Sequence, residues 1–375
     1  MARLRLLAWL GAPENELACL LALGVLGLHL AVIHRPDELM FDELHYVPQA
    51  RHLLDGVPLI RVVHPALGKL FIAGGIYFFG DDPFGWRIFP VLFGVASILL
   101  FYLMCQKLTT RRYVPLLATY VFAFSNMAFV QSAIAMLDVF SVTFMLASFL
   151  CYLHRRPVAA GIFVALAATV KLTGALAGLV ILGHWLVTNR RLCTDMVRFA
   201  AAAAVGFLLI FMLCDFLSTG RFIAPWDRLR FLLEQSFSLT THTVDDSRIT
   251  PPWDWIVFPC SMWYSVDGSY KAALNWDLWV LIFPLMGYMI YRARRDMLCS
   301  FSLAWFVGTY LIWWALEPAS DRITFIFYFY PAVGAVCLAA AYALGDVWRF
   351  GPWRLVAVAW MLTHLAVFLV MGPLV

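Results

Sequence analysis

Two carboxylates, Asp42 and Glu43, stand side by side just beyond the first long apolar run of a 375-residue chain. Carboxylates at the edge of lipid need water, a partner or a ligand to offset desolvation, so a functional reading comes first. Consecutive side chains on a helix diverge by about 100°. The pair therefore cannot close on one atom as the two acids of a glycoside hydrolase do. One acid is free to face a reacting group while the other orients a neighbour. The plainer reading is a helix start, with Asp42 as N-cap and Glu43 in the first turn.

Three cations fall on the same side of the expected membrane: Arg87 in GWRIFP, Lys171 in ATVKLTG and Arg322 in SDRITFIFYFYP. Each is able to snorkel or to pair with a nearby acid, as Asp321 beside Arg322 allows. Lys171 resists that reading, because apolar residues flank it on both sides. A proton acceptor and several cations at one lipid boundary point to a lipid-borne phosphate as substrate. His64 precedes a proline that restrains its backbone and either orients a hydroxyl or carboxylate or is a satisfied interfacial histidine. Asp138 in MLDVF starts a span, where capping explains it as well as ligand contact. The spacing of His45, His52 and His64 matches no zinc pattern. No cofactor or metal is expected, although Asp42, Glu43 and a histidine leave room for one divalent ion.

The elements that must carry these residues follow from composition. Hydrophobic residues are 63% of the chain and charged ones 13%, with mean hydropathy +0.82. Soluble domains carry about 45–50% and 25%, so an all-α, multi-pass membrane protein is expected. Apolar spans fall at about 16–33, 85–106, 113–131, 137–153, 157–170, 172–188, 199–217, 277–291, 298–316, 323–344 and 354–374, about eleven crossings. No small-residue cleavage site follows the first, so it reads as an uncleaved anchor. The basic lead MARLRLLAWLG lies along a surface. Alternate connections, Lys107–Arg112, Arg155–Arg156, Arg190–Arg198, Arg292–Arg295 and Arg349–Arg354, each hold at least two basic residues. The positive-inside rule puts these and the N-terminus in the cytoplasm. The eight cysteines are scattered, without a CxxC pair, and read as lipid-buried hydrophobes. Dispersed arginines and the lack of any P-loop or dinucleotide fingerprint leave nucleic-acid and nucleotide binding without support.

Two outer loops are long. In 34–83, the spacing over Asp42–Leu54 predicts an interfacial helix ended by Asp55-Gly56. Leu67–Phe79 is too short to span comfortably and reads as a re-entrant or surface helix. The second loop, 218–276, is rich in aromatics (Trp226, Trp253, Trp255, Trp263, Tyr264, Tyr270, Trp276). These form either an interfacial belt or a platform for stacking on a sugar.

The pieces FDELHY, HPALGK, GDDPFGWRIFP, QSAIAMLDVF, KLTG and DRITFIFYFYP occur in an order that resembles the protein O-mannosyltransferase family of the GT-C superfamily. They span most of the chain. The resemblance implies one GT-C transmembrane domain over 1–375, without an appended soluble domain. It implies inverting transfer of mannose from a polyprenyl (dolichyl-type) phosphate to Ser or Thr hydroxyls of proteins on the extracytoplasmic face of the cell (inner) membrane. By motif, Asp42 resembles the catalytic acid and Glu43 its companion, while Arg87, Lys171 and Arg322 resemble donor-phosphate cations. His45, His64 and Asp138 fall where sugar or acceptor contacts are expected, and a homo- or heterodimer is in keeping with the family. Ala66 stands where the family usually has a second proline, and Ala133 where it has arginine. The loop at 218–276 is too short for the extra sugar-binding-like domain of eukaryotic members, which points to a bacterial or archaeal enzyme.

Two other readings stand beside this one. The same chemistry onto a lipid or cell-wall glycan acceptor needs the same residues. A lipid or sugar transporter would place ionisable groups near the midplane, often in matched halves, whereas here the acids cluster at one boundary.

Overall fold

A computed structural model of the chain describes residues 11–60, 62–189, 193–265, 268 and 270–374. The basic lead at 1–10, and Arg190 and Arg191 of one basic connection, lie outside the described residues. Among the described residues the regular structure is helical, apart from one two-stranded hairpin, β1 (Ser261–Trp263) with β2 (Lys271–Ala273), and an isolated bridge between Thr240 and Arg322. In chain order the α-helices of eight or more residues are α1 (Pro13–Val32), α2 (Glu43–Leu54), α3 (Leu67–Phe79), α4 (Pro83–Leu108), α5 (Val114–Ala123), α6 (Asn126–Ala133), α7 (Asp138–Leu153), α8 (Pro157–Val170) and α9 (Leu176–Asn189). There follow α10 (Thr194–Thr219), α11 (Pro225–Phe237), α12 (Ile282–Arg292), α13 (Met297–Phe306), α14 (Ile312–Ser320), α15 (Tyr330–Val347) and α16 (Arg354–Met371).

Among the described residues, seven helices are long and apolar enough to cross a membrane, or eight if α5 and α6, bent by 56°, form one broken span. The expected spans at 137–153, 157–170 and 277–291 are helical too. Their helices have only 16, 14 and 11 residues, below the roughly 20 needed to cross alone. Length alone therefore does not carry the full count of eleven. At the centre stands α15, whose stretch is 94% buried, while α10 is 17% buried and presents leucines and valines outward to lipid. Small side chains along α15 (Ala332, Gly334, Ala335, Ala339, Ala340, Ala341) let neighbouring helices approach closely.

The α5–α6 break leaves backbone groups without helical partners, which membrane interiors tolerate only when protein supplies substitutes. Asn275 Nδ2 donates to Phe124 O (3.0 Å), and its Oδ1 accepts from Asn126 N (2.7 Å). Asn126 in turn accepts from Ala273 N, tying the hairpin to the break.

Three devices shape one end of the bundle. The first is the crossing of α3 on the start of α4, where a Cβ at Gly75 would meet Gly85 O at 2.2 Å, so glycine is required there. Asp81, in the turn between them, receives Arg51 of α2 and the Trp86 indole N–H. The second is Lys171. It is an extended residue (φ −148°, ψ 130°) joining α8 to a 3-10 turn, Leu172–Ala175, that leads into α9. Gly174 in that turn has Ala167 O only 2.3 Å from where a Cβ would stand. The third is the docking of the 218–276 stretch on residues 321–324, through Ile323 N to Leu239 O, Thr241 N to Asp321 O and Thr250 N to Thr324 O. At the opposite end, Arg111 and Asp346 form an ion pair of 2.9 Å, with Tyr342 bonded to both Arg111 and Asp296.

Candidate active site

Helix α2 begins with Glu43, and the residue before Asp42, its N-cap, decides where the acids go. Phe41 has φ +48°, in the left-handed region that a bulky side chain rarely occupies. After this turn, Glu43 points into the protein and Asp42 into a cavity, as their angular separation on a helix requires. Asp42 sits at the N-cap position but makes no side-chain cap. Its Oδ2 instead accepts from Tyr46 Oη at 3.0 Å, one helical turn on. The capping reading of Asp42 is thereby replaced by a carboxylate facing open space.

Glu43 has the other fate. Its side chain is fully buried and forms a two-pronged pair with Arg87, Nε to Oε1 at 2.9 Å and Nη2 to Oε2 at 2.8 Å. Arg87 also donates to Ile33 O, Pro36 O and Glu38 O, so all five of its N–H groups are occupied. Glu43 additionally accepts from Met40 N and Ala135 N. This knot fastens the 33–43 stretch to α4 and to the turn before α7. Arg87, expected at the donor phosphate, and Glu43, expected as a catalytic companion, lie behind the cavity wall rather than in it. Their geometry is that of a lock that aims Asp42.

The cavity has two lobes. A chamber of about 670 Å³ has largely apolar walls but gathers the charged and polar groups Asp42, His45, Tyr46, His64, Lys171 and Arg322, and is the polar lobe relative to its neighbour. An apolar groove of about 200 Å³ is lined by Leu172, Leu176, Leu233, Phe237, Trp313 and Leu316. Four residues line both lobes: His64, Lys171, Arg322 and Tyr328. Lys171 is bound by both oxygens of Asp138, at 2.8 and 2.9 Å, which leaves one of its three N–H groups for a ligand. Asp138, expected as a sugar or acceptor contact, is paired with Lys171 and is not among the residues lining either lobe. Arg322 has its Nε buried without a partner, an arrangement that calls for an acceptor. Of the seven aromatics singled out in 218–276, only Tyr264 lines the chamber. Trp226, Trp253, Trp263 and Trp276 are exposed, and Trp255 and Tyr270 are buried.

Electrostatics separate the two titratable groups nearest the joint. Burial pushes the Asp42 carboxyl above its ordinary range, opposed by the Lys171 charge and the Tyr46 hydroxyl. Burial together with Lys171, Lys69 and Arg322 holds the His64 imidazole well below its ordinary value, so it stays neutral. The arrangement offers a carboxylate able to take a proton, a neutral imidazole and an anion site between a polar and an apolar space.

Sequence reasoning passed over several lining groups. Lys69, inside the singled-out HPALGK piece, is 1% exposed, lines the chamber and donates to His64 O at 2.9 Å. A cation in an apolar helix was its available signal. Tyr46 was findable as the residue four places after Asp42. Arg248 carried no local signal at all.

A family profile described as "Dolichyl-phosphate-mannose-protein mannosyltransferase" matches residues 77–216. A polyprenol-phosphate-mannose–protein mannosyltransferase of Mycolicibacterium smegmatis is 37% identical over 123 residues, 31% of this chain and 24% of that protein, so the match spans about a quarter of its length. A protein of the same name from Corynebacterium glutamicum is 26% identical over 84% of this chain and 71% of its own. Among solved structures, the chain resembles the S. cerevisiae protein O-mannosyltransferase Pmt1-Pmt2 complex bound to the sugar donor (TM-score 0.77, 12% identity, 97% and 90% of the two chains covered). It also resembles ArnT from Cupriavidus metallidurans bound to undecaprenyl phosphate (TM-score 0.62, 19% identity, 88% and 59% covered).

Proposed function

We propose that this chain, a relative of the protein O-mannosyltransferases by sequence and a GT-C membrane protein by fold, transfers mannose from a polyprenyl-phosphate donor to a Ser or Thr hydroxyl of a protein. The observation that carries the reading is the joint of the two lobes: three of the residues common to both are Lys171, Arg322 and neutral His64, and Asp42 lies in the polar lobe beside them. An isoprenoid suits the groove, its phosphate the joint, and the sugar and acceptor the chamber.

In the proposed reaction, Asp42 takes the proton of the acceptor hydroxyl as oxygen attacks the anomeric carbon. A hydroxyl ionises poorly at neutral pH, so a positioned base contributes roughly 10²–10⁴-fold. The bond from the anomeric carbon to the phosphate oxygen breaks with its electron pair on that oxygen. The leaving group is a stable anion that needs cations rather than a second acid, the role given to Lys171 and Arg322. Attack opposite the phosphate inverts the anomeric centre. Tyr46 holds the carboxylate, and Glu43 with Arg87 fixes the 33–43 stretch that carries it. The charge on the phosphate is met by side chains, so no metal is given a part. The site is assigned to the extracytoplasmic side of the cell membrane because the basic connections belong to the other end of the bundle.

The decisive test is Asp42→Asn in the purified enzyme, with polyprenyl-phosphate mannose and a Ser/Thr-containing protein acceptor. A rate lower by roughly 10²–10⁴-fold in a folded variant is expected. Wild-type turnover would remove the base. Label appearing in lipid or glycan rather than protein would reassign the acceptor.

A further inference from the structure

Phe41 is the residue whose left-handed backbone sets the direction of Asp42. Such a conformation persists in a bulky residue only when the surroundings over-determine it. Here the surroundings are aromatic and cationic. The Phe41 ring lies parallel to Tyr264 (centroids 4.8 Å apart, planes at 6°) and edge-on to Phe325 and Phe327. The Arg248 guanidinium stands 5.1 Å from its centroid, within cation–π range. Arg248 is itself fixed by Asp246, through Nε to Oδ1 at 2.8 Å and Nη2 to Oδ2 at 2.6 Å. Arg248, Asp246 and Tyr264 all belong to the 218–276 stretch, whereas Phe41 and Asp42 belong to 34–83. The only described side-chain hydrogen-bond partner of Arg248 is therefore a residue two places away, and the face of its guanidinium is turned to the other loop.

We propose that Arg248 is a positioning residue for Asp42: seated against the Phe41 ring, it holds the turn that aims the carboxylate, and so makes transfer depend on the 218–276 stretch being docked over the 34–83 stretch. The proposal rests on the reading of Asp42 as the base. It assigns the second loop a share in catalysis through geometry and charge, without contact to the reacting atoms.

The charge has its own readout. The titratable groups coupled to Asp42 are Tyr46 and His45 on α2, Lys171 with Asp138, Tyr264 and Arg248, and the same chamber also holds Glu38, His64, Lys69, Asp246, Arg322 and Tyr328. Lys171, Tyr46 and His45 favour the ionised carboxylate and Asp138 opposes it; Arg248, whose own charge Asp42 favours, adds a smaller share, so its loss moves the acid limb of kcat/KM to higher pH. An arginine that served only the fold, without charge coupling to Asp42, would leave that limb where it is.

The test uses the full chain with polyprenyl-phosphate mannose and a Ser/Thr peptide. Arg248→Gln is expected to lower acceptor kcat/KM by about 10–100-fold and to move the acid limb to higher pH, and Arg248→Lys is expected to return the limb toward its wild-type position. Phe41→Leu, which removes the ring and keeps both charges, is expected to show a loss of similar size. In the double variant the losses should not multiply, because Arg248 acts through Phe41. Wild-type rate in Arg248→Gln, an unmoved limb, or multiplicative losses would each overturn the proposal. An active Asp42→Asn variant would instead overturn the base assignment on which it stands.

Discussion

At the scale of single residues, the two adjacent acids divide their labour by direction. Asp42 faces the chamber and Glu43 the protein, and the angle between consecutive helical positions made that division legible beforehand. What was not legible was which basic residue each acid would meet, because Arg87 is 44 positions from Glu43 and Lys171 is 33 from Asp138. Long-range pairing of charges is a tertiary property, and Arg87 looked like a ligand-binding cation only because its partner could not be seen. A pH prediction belongs here. Asp42 must be ionised to accept a proton, and burial raises its pKa. The acid limb of the pH–rate profile is therefore expected above the ordinary carboxylate value of about 4, with activity falling as pH drops through it. A limb at or below that value in steady-state kinetics would contradict the placement of Asp42.

At the scale of elements, the Glu43–Arg87 knot joins three pieces: the 33–43 stretch, α4 and the turn before α7. Removing one member of a fully buried, fully bonded pair leaves an uncompensated charge and costs about 3–5 kcal/mol. Arg87→Met and Glu43→Gln are each expected to lower the unfolding midpoint in detergent markedly. A variant with wild-type stability and a raised KM for the donor would return Arg87 to the phosphate. The helix breaks show where local signals suffice. Gly56 and the expected end of α2 coincide, as do both ends of α3, since glycine, proline and apolar periodicity are local cues. Lys171 falls between the two short apolar spans expected at 157–170 and 172–188, and the apolar run continues on both sides of it. The structure puts it on an extended residue between two helices, at the end of the bundle that holds Asp42, and no single residue marks that break except Gly174.

At the scale of the whole molecule, composition settled the class, and the apolar runs located the helices. Crossing number and bend angle were less accessible, because 14- and 16-residue helices and a pair bent by 56° cross or not according to tilt and packing rather than hydropathy. Orientation is testable directly. In a cysteine-free background, a cysteine at Thr241 is expected to react with an impermeant reagent added outside intact cells, and one at Arg295 only after permeabilisation. The reverse pattern would put the chamber in the cytoplasm.

The modest size of the apolar lobe, about 200 Å³, bears on how such an enzyme is supplied. On the proposed reading it grips only the first units of a long isoprenoid, and the remaining tail stays among the acyl chains. Loaded and emptied carriers then travel sideways within one leaflet and never enter water. Throughput becomes a matter of two-dimensional traffic, tuned by temperature and acyl saturation without any change in the protein, and indifferent to how far the tail extends past the last side chain that holds it.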